Sequence, residues 1–365
     1  MMQFINLTRQ YKFIETNILD GIAKVLASGQ YIMGPDIDKL EEKLAEFVGI
    51  KHVIVNSSGT DSLLMALMAL DIGPGDEVIT TAFSFFASAE VIALVRATPV
   101  LIDIEPNTYN INPNQIEAAI TSKTKAIMPV GLYGQMADMT AINAIADKYN
   151  LPVIEDAAQS FGAMHNGAYS CSISTIGCTS FFPPKPLGCY GDAGACFTND
   201  DAIAEKMLAI RNHGQTARYN HRYIGINGRM DTIQAAILLE KIKIFSKEID
   251  LRQQVALNYT NLLTGIVKTP EVLYNNRSVF AQYTIEVSKR DAFQRNMHDL
   301  GIPTAIHYPI AMHQQPALTY LGYQAGDFPC AELASQRVIS LPMDPYLTID
   351  EQRQVAQSVI KSLNL

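Results

Sequence analysis

The chain has 365 residues, 48% of them hydrophobic and 18% charged, the composition of an ordinary globular protein able to bury a sizeable core. At this length two domains sharing an interface are the natural expectation. The formal net charge of -8 excludes the broadly basic face that nucleic acid requires, yet leaves room for a small anionic ligand held by a few local donors.

Met1 opens a polar, amphipathic stretch, not a basic region followed by an apolar core, so no signal peptide is expected. Asp38 to Phe47 reads as a helix and His52 to Val55 as a short strand. Thr60 to Leu70 reads as a helix with Leu63, Leu64, Leu67 and Leu70 on one side, too short an apolar run to span a membrane. Strand-like Glu77–Thr80, helical Ala87–Arg96 and strand-like Pro99–Asp103 follow. Lys125–Val130, the helix Met139–Tyr149 and the strand Pro152–Glu155 continue the alternation of an α/β domain, and Ile203–Asn212 is a further helix. Met230–Ile249 reads as a long helix. The pattern changes after Leu251, with a separate helix Arg252–Leu263, a strand within Val279–Val287, Phe293–Leu300 and a last helix from Ile349. The expected division is a large domain over residues 1–250, whose N-terminal segment packs elsewhere if it does not join it, and a small α+β domain over 251–365.

The five cysteines form no CxxC pair, and an odd number fits a reducing compartment, so the protein is expected in the cytoplasm with no membrane partner. Four of them flank Lys185, but zinc ligands come in close pairs; buried thiols are the reading, and no metal is expected.

Three segments carry chemistry. Asn56-Ser-Ser-Gly-Thr-Asp61 lies between a strand and a helix, where exposed backbone N–H groups and the helix dipole suit an anion; a plain N-cap by Ser58 or Thr60 is the alternative. Pro152-Val-Ile-Glu-Asp-Ala-Ala-Gln-Ser160 sets Asp156 at the carboxyl end of an apolar strand, where open α/β sheets bind ligands. Such an aspartate either holds a pyridinium nitrogen protonated or caps a helix, and Gln159 shares its face if a helix begins there. In Thr179-Ser-Phe-Phe-Pro-Pro-Lys-Pro-Leu-Gly-Cys-Tyr-Gly-Asp-Ala-Gly194, Lys185 stands between two prolines, a rigid backbone for an amine that must attack one atom. The ordered set carries the argument: a hydroxyl–glycine turn, a strand-end aspartate, then Ser-x-x-x-x-Lys in a glycine-rich loop.

That set resembles the DegT/DnrJ/EryC1/StrS sugar aminotransferases, members of the fold-type I aspartate aminotransferase superfamily. The resemblance runs nearly end to end, through Gly29–Pro35, Ser58–Asp61, Gly73–Val78, Glu155–Ser160, Ser180–Lys185, Gly191–Gly194, Asn212–Gly214 and Asn227–Ala236. It implies an aspartate aminotransferase-like α/β fold, with a mostly parallel sheet flanked by helices, and pyridoxal 5'-phosphate as cofactor. By resemblance Lys185 is the lysine that bonds the cofactor and Asp156 pairs with the pyridine nitrogen. Gln159 would contact the phenolic oxygen and Phe85 would stack on the ring. Gly59, Thr60 and Ser180 would hold the phosphate, with Asn227 reaching in from the second subunit of a homodimer whose sites are shared.

Within the family, Lys185–Gly191, Val279–Thr284 and Pro303–Pro309 resemble the enzymes that place the amino group on C3 of a UDP-linked 3-oxo-2-acetamidoglucuronate, with L-glutamate as donor, for bacterial surface polysaccharide such as the O-antigen of lipopolysaccharide. Arg229, His307 and Tyr308 are then candidates for the diphosphate or uronate groups, and an ordinary interface histidine is the other reading of His307. Pro184, Phe85, Gly228 and Asp344 depart from the family's usual small residue, Tyr or Trp, Ser and His. Sugar dehydratases among the relatives carry histidine in place of the lysine, and this chain keeps Lys185. A 4-aminotransferase acting on a nucleotide-linked 4-keto-6-deoxy sugar, and a cofactor-binding regulator without turnover, are the rival readings.

Overall fold

The computed structural model describes residues 2–363. Helix α1 (Leu7–Ser28) ends at Gly29 and α2 (Pro35–Val48) at Gly49, both glycines in the left-handed region that closes a helix cheaply. Strand β1 (His52–Asn56) leads into α3 (Gly59–Ala69), β2 (Glu77–Thr81) into α4 (Ala87–Leu94), and β3 (Thr98–Ile102) into the single turn α5 (Pro113–Ile116). Next come β4 (Thr124–Met128), α6 (Met139–Tyr149) and β5 (Ile154–Asp156), then a small hairpin of β6 (Met164–His165) and β7 (Ala168–Tyr169). Strands β8 (Ile176–Ser180) and β9 (Gly194–Thr198) bracket the Lys185 loop; α7 (Asp201–Arg211) and the ribbon β10 (Gln215–Ala217) with β11 (Asn220–His221) follow. The remainder is α8 (Thr232–Leu263), β12 (Asn276–Arg277), β13 (Tyr283–Glu286), α9 (Arg290–Asp299), α10 (Pro329–Arg337), β14 (Val338–Leu341) and α11 (Ile349–Leu363).

The central sheet is ordered β3-β2-β4 and β5-β8-β9-β1, and the two parts meet through parallel bridges from Ile127 to Val153 and from Val130 to Asp156. Neighbours from β3 to β8 run parallel, while β9 is antiparallel to both β8 and β1. The expected mostly parallel, helix-flanked sheet is therefore present. Alternate strand residues supply two opposite cores, as the two-residue strand period requires. Val53, Val55, Ile79, Ile127, Ala195 and Phe197 face α2, α6 and α8, whereas Ile54, Val78, Met128, Ile176 and Cys196 face α3, α4 and α7. A third core joins the last turns of α8 to β13, β14, α9 and α11.

Most expected elements occupy the expected residues, with some differences. The two helices expected on either side of Leu251 are one helix, because no glycine or proline interrupts residues 232–263. No helix begins after Asp156; residues 158–162 form turns. Helix α1 is half exposed, leaving Phe13, Leu19 and Leu26 to solvent. Helices α1 and α10 and strands β8, β9 and β14 were not foreseen. No helix among the described residues is long and apolar enough to cross a membrane.

Phe161 ties the first core together: its ring lies 5.5 Å from that of Phe197 and stacks at 11° and 5.9 Å on Phe245 of α8. Phe161→Ala is expected to lower stability by about 3–5 kcal/mol through the cavity it leaves, read as a reduced denaturant midpoint with unchanged slope.

Candidate active site

Because β1, β2, β5 and β8 run in one direction, Asn56, Thr81, Asp156 and Ser180 end on one edge of the sheet. The predicted site residues gather on that edge. After β1, the Ser58 hydroxyl caps α3 by accepting from Asp61 N–H at 3.0 Å, so the N-cap reading of Ser58 holds. A Cβ on Gly59 would lie 2.6 Å from Cβ of Ser180, so only glycine lets the helix start approach the end of β8. The first turn of α3 consequently presents its free N–H groups beside the Ser180 hydroxyl, a donor set suited to a phosphate.

Asp156 is 5% exposed and accepts hydrogen bonds from Ser88 Oγ at 2.8 Å and Ala158 N–H at 3.1 Å. Burial pushes its pKa up, opposed by those two bonds and by the Lys185 charge. Glu155 faces the other way, accepting from Cys171 N–H at 2.8 Å, and burial lifts it to about 7. The strand's alternation thus decides which of the two adjacent acids can serve the site. Lys185 N–H donates to Phe182 O at 2.8 Å, and burial lowers the amine's pKa while Asp156 resists. An amine so placed is more readily the free base, as a nucleophile must be.

Gln159 accepts from Tyr133 N–H at 3.0 Å and donates from Nε2 to the Tyr308 hydroxyl at 3.0 Å. The Tyr308 ring lies 6.0 Å from that of Phe85, which is 56% exposed at the mouth. Burial, then the Asp156 charge, raises the Tyr308 pKa. His307 Nδ1 sits 2.9 Å from Ser340 Oγ, and the Tyr133 hydroxyl donates to the His307 carbonyl. Burial, reinforced by Lys185, lowers His307 to about 4.

Asn227 is exposed, and Arg229 donates to Asn212 Oδ1 at 2.8 Å while its buried Nε has no partner among the described residues. Their segment reaches the α3 turn of the same chain through Gly228 O, which accepts from Ser57 N–H at 3.0 Å. Asp344 instead binds the N-terminal segment, accepting from Asn6 N–H at 3.2 Å and Tyr346 N–H at 2.9 Å. Sequence reasoning missed Ser88, Tyr133 and Ser340. Ser88 on α4 lies 3.1 Å from the hydroxyl of Ser84 in the turn before the helix, and this pair of hydroxyls in an otherwise apolar stretch was the visible hint.

A phosphate-bearing pyridine fits these residues. The Gly59 cradle offers N–H donors, the buried Asp156 meets no cation but Lys185 among the described residues, and Lys185 has the depressed basicity a carbonyl-trapping amine needs. This fold and edge define a pyridoxal-phosphate-dependent aminotransferase. The chain belongs to the DegT/DnrJ/EryC1/StrS aminotransferase family, whose pattern matches residues 12–360. It is 53% identical over 348 residues, covering 95% of this chain and 96% of the relative, to the UDP-2-acetamido-2-deoxy-3-oxo-D-glucuronate aminotransferase of Pseudomonas aeruginosa. It is 45% identical, over 97% of this chain and 96% of the relative, to the pleiotropic regulatory protein of Geobacillus stearothermophilus. The crystal structure of NtdA from Bacillus subtilis with bound cofactor PMP superposes with a TM-score of 0.89 at 33% identity, over 96% of this chain and 82% of that one.

With a folded-state pKa of about 4 against 6.5 unfolded, His307 binds fewer protons in the folded chain. Its contribution to stability is complete above about pH 6.5 and is lost as pH falls towards 4. Ring proton shifts of His307 should stay flat between about pH 5.5 and 8; a midpoint near the ordinary histidine value would contradict its burial.

Proposed function

We propose that the chain transfers the amino group of L-glutamate to C3 of UDP-2-acetamido-2-deoxy-3-oxo-D-glucuronate, in the cytoplasm, for bacterial surface polysaccharide such as O-antigen. The observation that carries the transaminase reading is the buried Lys185 amine opposed by the Ser88-anchored Asp156. The sugar reading is supported by the Pseudomonas relative and by Arg229, whose partnerless Nε suits a planar anion. Arg229 is assigned to the uronate carboxylate, with His307 and Tyr308 lining the sugar side.

When bound, pyridoxal phosphate would supply an electron sink that acidifies the Cα–H bond. Asp156 keeps the ring nitrogen protonated, a role its own buried charge favours. Lys185 would hold the cofactor at rest and, once its amine is free, would serve as the general base and acid for the substrate's Cα proton. The same amine would serve again as acid and base for the proton on the sugar carbon. Gln159, fixed by Tyr133 and Tyr308, is assigned to the phenolic oxygen, Phe85 to the ring face, and Gly59, Thr60 and Ser180 to the phosphate.

The partner is a second copy of the chain. Exposed Phe13, Leu19 and Leu26 on α1, continued by Tyr31, Ile32 and Met33, form an apolar surface that a monomer rarely leaves to water. Asn227 is assigned to the partner's phosphate site. The division into a large cofactor-binding domain and a small C-terminal one belongs to this reading, with the change-over inside α8. The Geobacillus relative's name raises a regulator without turnover, but a scaffold gains nothing from holding an amine beside a buried carboxylate.

The decisive assay supplies glutamate with each nucleotide keto sugar, the labile 3-oxouronate being generated in place by a dehydrogenase, and follows amino-sugar mass. Arg229→Met should weaken the uronate by roughly ten- to a hundredfold relative to an uncharged analogue, the worth of one charge-assisted pair. Efficient amination of a 4-keto-6-deoxy sugar with none of the 3-oxouronate would replace the acceptor, and absence of turnover on every sugar would favour the regulator.

Shared sites have their own test. Lys185→Ala and Asn227→Asp should each be nearly inactive, while a co-refolded mixture recovers partial activity because one site in the mixed dimer is intact. No recovery from demonstrated heterodimers would assign Asn227 to its own subunit.

A further inference from the structure

We propose that Lys241, which the reaction as described does not use, is a positioning residue that holds the loop carrying Lys185 by donating to the carbonyl of Gly188. This rests on the reading of Lys185 as the cofactor's lysine. Lys241 lies on α8 and is 1% exposed, the most deeply buried lysine of the chain's core. An ammonium is costly there unless acceptors meet it, and an apolar side chain would fill the same space. Its Nζ donates to Gly188 O and lies 4.7 Å from the centre of the Tyr190 ring. Burial lowers its pKa to about 8, while Glu248 and Cys189 favour the charge.

The loop needs an external grip. Pro183, Pro184 and Pro186 lack N–H groups, so backbone bonds inside the loop are few. Those it makes fold it back on its own start: Lys185 N–H donates to Phe182 O at 2.8 Å and Cys189 N–H to Phe181 O at 2.7 Å. A Cβ on Gly188 would lie 2.6 Å from Phe182 O, so Gly188 sits directly against the segment from which Lys185 rises. Holding the Gly188 carbonyl therefore holds the base of Lys185. Two turns earlier on the same face of α8, Gln234 Oε1 accepts from Tyr190 N–H at 2.9 Å. The helix thus grips the loop at two points, and of these Gly188, held by Lys241, is nearer Lys185 than Tyr190 is.

The test uses the loaded enzyme with Lys241→Met, which removes the donor, and Lys241→Gln, which keeps one. Lys241→Met is expected to lower kcat at least about tenfold with KM for both substrates changed less than about twofold, the mark of misplaced reacting groups. It should also reduce the visible circular dichroism induced in the bound cofactor at equal cofactor content. In protein freed of cofactor, amide exchange over residues 187–191 should quicken. Lys241→Gln should recover most of the kcat. A folded Lys241→Met protein with unchanged kcat, induced dichroism and exchange overturns the proposal, as does an equal loss in Lys241→Gln. Should Lys241→Met not fold, Lys241→Gln decides: kcat within about threefold of wild type supports the donor role, and a loss beyond about tenfold overturns it. Borohydride fixation in the wild-type enzyme separates the two readings. Labelling at a lysine other than Lys185 defeats the assignment beneath this inference, whereas labelling at Lys185 with an indifferent Lys241→Met defeats the inference alone.

Discussion

Two ionisable groups of opposite sign are buried on one sheet edge, and each is held by the backbone away from a comfortable pairing. Asp156 is raised by burial although Ser88, Ala158 and Lys185 all oppose the shift, and Lys185 is lowered although Asp156 opposes that. Neither the carboxylate nor the amine gains full compensation from the other. The rest of the architecture maintains this condition. Parallel strands deliver Asp156 and Ser180 to the same edge, α4 turns Ser88 onto the carboxylate, and the proline-rich loop holds the amine's backbone. On the proposed assignment of Asp156 and Lys185, a ligand carrying both a cationic ring nitrogen and an electrophilic carbon would relieve both groups at once, turning a cost of folding into affinity.

Much of this was legible from residues alone, and the exceptions have physical causes. Met139–Tyr149 was found to the residue because Asp138 caps it and Asn150 ends it in the left-handed region, signals local to the sequence. The turn Ser58–Asp61 and the strand-end Asp156 were readable for the same reason. Strand β9 was not, since Gly194-Ala-Cys-Phe-Thr198 is a strand chiefly through pairing with both β1 and β8. The break proposed near residue 250 followed a change in pattern, but the hydrophobic face of α8 passes from one core to another without leaving the helix.

The missed site residues have a common character. Ser88 sits in a helix where a hydroxyl looks incidental, and its meaning comes from Asp156, 68 positions later. Tyr133 acts through a backbone N–H on Gln159, with φ of 57° bending the chain to present it, and neither feature marks the residue in sequence. Asp344, by contrast, was noticed as a departure from the family's histidine, yet its carboxylate is turned onto Asn6 and Tyr346. Departure from a pattern locates a change without saying which side of the fold it serves.

The continuity of α8 has a thermodynamic consequence. Its 32 residues make a rod about 48 Å long that contributes Ala235, Leu238 and Phe245 to one core and Val255, Tyr259 and Leu263 to another. Either core can lose its packing only by stripping a face from a helix the other still needs. Partial melting therefore exposes surface on both sides of the rod, and heat should take the chain apart in a single cooperative transition, not as two separately melting units.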